Sequence, residues 1–229
     1  MSTALEPIAP NLWTLTAPQN FLLFHVGAKM TVVKLANGSL LLHSPVPIGV
    51  QAKAELDEIG PVAHIVCPNL YHHLHAGEAQ KLYPEAKLHG PAKLRKKRPD
   101  LVFDYELGDT PHPDWVQDLE VHSIKGSLLY ETVFFHKPSA TLISCDLVEN
   151  FQTSGHWPTL LWLKTGGIHG KVGWHHLLKP LYWNRKAARA SLQQILDWPF
   201  DRAVISHGRI LEENAQETIR GSFKWLLGT

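Results

Sequence analysis

Pro68-Asn69-Leu70-Tyr71-His72-His73-Leu74-His75-Ala76-Gly77-Glu78 carries three histidines within four positions. It directly follows Val62-Ala63-His64-Ile65-Val66-Cys67, a short apolar run that reads as a buried strand. It leads into a helix pattern from about 76 to 83, closed by Pro84. Neutral imidazole is the commonest nitrogen ligand for zinc or iron. On a helix, His72 and His75 share a face, while His73 is turned away by about 100°. Two or three of these side chains reach one ion only where the backbone is loop-like. The alternative is a polar helix start with solvated imidazoles.

The same construction recurs twice. Leu142-Ile143-Ser144-Cys145-Asp146 is an apolar strand closing on a carboxylate. A charge at such a rim needs a partner or a cation; its plainer role is to cap a following helix. Ala203-Val204-Ile205-Ser206-His207-Gly208 ends a strand on an imidazole, with glycine permitting a tight turn. The plainer reading of His207 is a hydrogen-bonded rim histidine. Three strand ends delivering His or Asp form a stronger signal together, because metal sites draw ligands from several elements.

Outward from these points the chain alternates. Runs at 12–15, 21–26, 31–35 and 39–43 read as strands, with Asn37-Gly38 as a hairpin turn. An amphipathic helix over about 50–59 ends at Gly60-Pro61. Further strands are expected near 87–89 and at 119–123, 131–136, 141–145 and 202–206, with helices at 185–198 and 212–227. Segment 150–184 reads as irregular, rich in Trp and His. It is longer than an ordinary connection, so it is either functional or carries structure of its own. The pattern predicts a layered α/β architecture in a single domain over 1–229.

The 229 residues are 44% hydrophobic and carry a net charge of +1, enough for a core and too balanced for a field that holds nucleic acid or a membrane. No apolar run approaches the roughly 20 residues of a membrane helix, and the first residues do not resemble a signal peptide. A soluble, cytoplasmic protein is expected. Lys93-Leu94-Arg95-Lys96-Lys97-Arg98 holds five basic residues in six, read as a solvated face rather than a nucleic-acid contact. Cys67 and Cys145 read as buried filler. His169, His175, His176 and the tryptophans of 157–183 read as loop and packing residues, or as a lid at a pocket mouth.

The order of these features resembles the metallo-β-lactamase fold superfamily over roughly residues 10–227. Met30-Thr31-Val32-Val33, His43-Ser44-Pro45, Ala63-His64-Ile65-Val66-Cys67-Pro68-Asn69, Val133-Phe134-Phe135-His136-Lys137-Pro138-Ser139 and Ser206-His207-Gly208 are similar to an uncharacterised DUF4336-like branch. The resemblance implies an αββα sandwich with metal at the sheet edges. It implies His72, His73, His75, Asp146 and His207 as ligand candidates, with Asp146 also the catalytic candidate. The superfamily motif His-x-His-x-Asp-His is degenerate here. Aligning strand ends puts Asn69 on its first histidine; aligning Gly77 puts His72 and His75 on motif histidines and Leu74 on the motif Asp. The middle ligand is His122, Glu131 or neither. The implied cofactor is a divalent metal, Zn or Fe, one ion rather than two. The implied activity is hydrolysis of an ester, lactone, amide or phosphoester of a small molecule through a metal-bound hydroxide. The alternatives are a non-catalytic ligand- or partner-binding relative and a nuclease.

Overall fold

The computed structural model describes residues 3–228. β1 (Glu6–Ala9) and β2 (Leu12–Ala17) form the first hairpin. The run at 21–26, read as one strand, is instead a small hairpin of β3 (Asn20–Phe21) and β4 (Phe24–His25). Leu22 reverses the chain there at φ 53°, leaving Phe21, Leu22 and Leu23 exposed. β5 (Ala28–Lys34) then turns through Asn37-Gly38 into β6 (Leu40–His43) as expected. Next come α1 (Val50–Ile59), β7 (Val62–Val66), α2 (Ala76–Leu82), β8 (Lys87–Gly90), α3 (Ala92–Lys97) and β9 (Tyr105–Glu106). These strands make one seven-stranded sheet in the order β1-β2-β5-β6-β7-β8-β9. Pairing is antiparallel as far as β6 and parallel beyond it, where helices make the crossovers.

The second half adds β10 (Leu119–Ser123), β11 (Thr132–His136), β12 (Thr141–Ile143), β13 (Glu149–Phe151), α4 (Trp157–Thr165), β14 (Lys171–Gly173), α5 (Arg185–Leu196), β15 (Arg202–Val204), α6 (Ala215–Ser222) and α7 (Lys224–Leu227). A four-stranded sheet runs β10-β11-β12-β15, and β13 pairs with β14. The 150–184 segment is therefore not irregular: it contains α4, β14, most of β13 and a 3-10 turn at His176–Leu181. The single helix expected over 212–227 is two, broken at the fully buried Phe223.

Three apolar layers explain the stacking. Val32, Leu42, Ile65 and Leu88 of the first sheet meet Ala52 and Leu56 of α1, Ala76 and Ala79 of α2, and Leu94 of α3. Val33, Leu41 and Val66 on its other face meet Val121, Phe134, Ile143 and Val204 of the second sheet, with Trp115 between. Val133, Phe135, Leu142 and Ala203 pack outward on Leu192 and Ile195 of α5, Ile219 of α6 and Leu226 of α7. Alternate residues of each strand feed opposite layers, as the pleat requires. The result is an αββα sandwich. Among the described residues no helix is long and apolar enough to cross a membrane.

Candidate metal centre

β7, β12 and β15 all end at one rim, and each is followed by a polar side chain. After β7 the chain does not enter the helix at once. Asn69 Oδ1 accepts the backbone N–H groups of Tyr71 (2.8 Å) and His72 (2.9 Å), forming an Asx turn. This loop aims His72 across the rim. After β12, the buried Glu131 carboxylate accepts the N–H of Cys145 at 2.6 Å and of Asp146 at 3.1 Å, fixing the turn that presents Asp146. After β15, His207 is followed by Gly208 at φ 91°, where an added Cβ would lie 2.1 Å from the Asn150 carbonyl oxygen.

His72 Nε2 lies 3.4 Å and His207 Nε2 3.3 Å from Asp146 Oδ1. All three ligand atoms fall within 4.8 Å of one another. Tetrahedral zinc with bonds of about 2.0–2.1 Å separates its ligand atoms by about 3.4 Å, so these donors fit a divalent ion. The outer atoms are also placed. His207 Nδ1 donates to the Gly27 carbonyl at 2.8 Å, which leaves Nε2 as the nitrogen turned toward Asp146. His72 Nδ1 is 2.7 Å from Ser44 Oγ, and Asn69 Nδ2 donates to Asp146 Oδ2 at 2.7 Å. Such outer partners fix tautomer and ring orientation around metals.

The electrostatics are polarised. Burial alone would raise Asp146, but His72 and the bond from His207 more than reverse this and hold it below the usual carboxylate range. Burial pulls His207 down, and Asp146 reverses that and raises it. Burial and the nearby Asp146 push Glu131 up to about 8, against the pull of its two backbone N–H partners. Glu149 is pushed to about 7, chiefly by burial.

Of the sequence candidates, the structure brings His72, Asp146 and His207 together and leaves His73 and His75 out. His73 turns inward, where its Nδ1 accepts from Arg98 Nη1 at 2.9 Å; burial and then the charges of Lys97 and Arg98 lower it to about 4. His75 stands at the start of α2, 2.9 Å from Glu78 Oε2. Neither middle-ligand candidate joins the cluster: His122 faces Asp109 at 3.5 Å, and Glu131 is engaged with backbone. Cys67 and Cys145 are free, buried thiols. Ser44, Gly27 and Asn69 are supports that strand and turn patterns do not announce. Only the His43-Ser44-Pro45 and Asn69 matches hinted at two of them.

The cluster opens on a cavity of about 460 Å³. Its walls include Phe21, Tyr71, Leu74, Trp162, Trp174 and Leu181, with Glu149 lining it as well. The Trp-rich segment thus packs and lines the pocket together: Trp162 stacks on His175 at 3.6 Å and on Phe24 at 4.8 Å.

A family model described as a domain of unknown function, DUF4336, matches residues 10–165. No curated protein matches the chain. Among solved structures, a metallo-β-lactamase from Pontibacter korlensis superposes with a TM-score of 0.65 at 15% identity, over 98% of this chain and 99% of that one. VMB-1 at pH 5.5 gives 0.66 at 13% identity over 100% and 99%. A metallo-β-lactamase from Hirschia baltica gives 0.64 at 10% identity over 97% and 96%. At such identities the likeness establishes the fold alone. The family model spans more than half of the sequence, so the chain belongs to the DUF4336 family, built on the metallo-β-lactamase fold.

Proposed function

We propose that the protein is a hydrolase that uses one divalent ion, zinc or iron, in this cleft and acts on an ester, lactone, amide or phosphoester of a small molecule. The observation that carries the reading is the convergence of His72 Nε2, His207 Nε2 and Asp146 Oδ1 on one point at the mouth of an apolar pocket. These three side chains would hold the ion, which when bound supplies Lewis acidity and lowers the pKa of water. Asn69 keeps Asp146 turned toward the imidazoles, and Ser44 and Gly27 keep the imidazoles turned toward Asp146. Leu74, Trp162 and Trp174 give the cavity apolar walls, which suit an apolar or aromatic substrate body. Glu149 forms no hydrogen bond at its buried Oε2 among the described residues, which suits it to hold a proton at that atom.

The degenerate motif, with Asn69 on its first histidine if strand ends are aligned or Leu74 on its Asp if Gly77 is aligned, favours a second reading as a non-catalytic binder. A nuclease is less favoured, because Lys93, Lys97 and Arg98 are engaged with Tyr130, Leu70 and His73. The test is metal content and thermal melting of untagged protein, in chelator and in excess metal, followed by a panel of ester, lactone, amide and phosphoester substrates. Asp146→Asn and His207→Gln are expected to hold one ion fewer than the wild type and to lose both hydrolysis and the matching part of the metal-induced melting shift. Unchanged ion counts and shifts in both variants would overturn the reading. Metal binding without turnover of any substrate would favour the binder.

A further inference from the structure

We propose a second divalent-ion site, remote from the cleft, formed by His64 Nε2, His112 Nδ1 and Asp114 Oδ2. His64 lies on β7, on the face toward the second sheet, and His112 and Asp114 lie on the crossover from β9 to β10. None of the three lines the cleft cavity. Their ligand atoms fall within 4.8 Å of one another. Asp114 Oδ2 is 3.3 Å from His64 Nε2 and 3.6 Å from His112 Nδ1, close to the ligand separation of about 3.4 Å around tetrahedral zinc.

The proton inventory points the same way. His112 Nδ1 accepts the Asp114 backbone N–H at 3.2 Å, so this nitrogen carries a lone pair and no proton. It nevertheless faces a carboxylate oxygen. His64 Nδ1 is 3.0 Å from His89 Nε2. With His64 donating there, its Nε2 also carries a lone pair toward the same carboxylate, and among the described residues that atom forms no hydrogen bond. The unshared pair on His64 Nε2 and the carboxylate then converge beside His112 Nδ1, and an ion reconciles them by taking the His112 pair in place of the long 3.2 Å bond from the Asp114 N–H. The rival arrangement puts a proton on His64 Nε2 and needs no ion.

The surroundings are those of a supported ligand set. His89 Nε2 partners His64 Nδ1, the ring nitrogen that faces away from the proposed ion, and so holds the ring in place. His89 stacks on Tyr105 at 5.0 Å with the planes 12° apart. Trp115 packs against His64, His89 and His112 at 5.0, 4.7 and 5.1 Å. Asp114 is about half exposed, which gives an ion a route in and leaves a fourth position to water. An ion here would tie the first sheet to the segment that carries the chain to the second, a structural rather than a catalytic role.

The experiment uses the full, untagged chain, stripped with chelator and titrated with zinc by equilibrium dialysis. The variants are Asp114→Ala and His112→Gln, each made in the wild type and in Asp146→Asn. Each is expected to bind one zinc fewer than its parent. In the Asp146→Asn background, zinc is expected to raise the melting temperature, and adding Asp114→Ala should abolish that rise. Retention of the parental zinc count and melting shift by both Asp114→Ala and His112→Gln would overturn the proposal. If Asp114→Ala loses an ion while Asp146→Asn does not, the cleft reading fails and this one stands. Because His112 and Asp114 are separate positions and Asp114 is about half exposed, one variant that folds poorly leaves the other to decide.

Discussion

Ser44 holds its backbone in the left-handed region at φ 59°, a conformation that costs a non-glycine residue on the order of 1–3 kcal/mol. Its Oγ is 2.7 Å from His72 Nδ1, and its N–H donates to the Val66 carbonyl at 2.9 Å. The strain is thus maintained at a residue that orients a ligand. Ser44→Ala should leave the fold intact and weaken metal binding in the cleft by about 10–100-fold, the usual cost of losing an outer partner. A competition titration with a zinc chelator checks this, and an unchanged affinity would show that Ser44 does not position His72. Asp146 and His207 were readable because each closes an apolar strand. Ser44, Gly27 and Asn69 were not, because their partners lie 28, 180 and 77 residues away.

At the scale of elements, α3 acts as a clamp on the loop that carries His72. Lys97 Nζ donates to the Leu70 carbonyl at 2.6 Å and sits 4.7 Å over the Tyr71 ring. Arg98 Nη1 donates to the His73 carbonyl at 3.1 Å as well as to its imidazole. A run that reads as a solvated charged face is therefore partly spent on internal contacts. Arg98→Ala should cost about 1 kcal/mol, the net worth of such bonds at a partly exposed position. It should also speed amide hydrogen exchange across residues 70–75 more than elsewhere, and uniform exchange would show that the clamp is not local. α4 was illegible for a different reason. Leu160, Leu161, Trp162 and Leu163 are consecutive apolar residues, which blur the 3.6-residue period. Their sorting is tertiary: Leu163 is buried, Leu161 is exposed, and Trp162 goes to the pocket wall.

At the scale of the whole molecule, the layers bury imidazoles that then resist protonation. Burial holds His136 below its ordinary 6.5, with Asp118 pulling the other way. Burial likewise lowers His175, against the Trp162 carbonyl. A depressed folded value means that the unfolded chain takes up protons first. These groups therefore contribute stability that is complete above 6.5 and is lost as pH falls through their lower folded values. Denaturant midpoints measured from about pH 7 to about pH 5 should fall, and His136→Gln should flatten the profile. A variant profile parallel to the wild type would remove His136 from the acid sensitivity.

The alternation of β and helical periods, the hairpin at Asn37-Gly38, and the placing of Asp146 and His207 at strand ends were determined by sequence alone. Each is a local property, set by side-chain period, turn chemistry and the reluctance of charge to enter a core. Tertiary structure alone decided which of His72, His73 and His75 faces Asp146. Asn69 makes the loop an Asx turn instead of a helix start, so neighbouring imidazoles point to different layers. It alone joined His64 to His112 and Asp114, which lie in separate elements of the chain. A ligand set depends on loop dihedrals and on how sheets stack, and both are settled only when distant segments pack together.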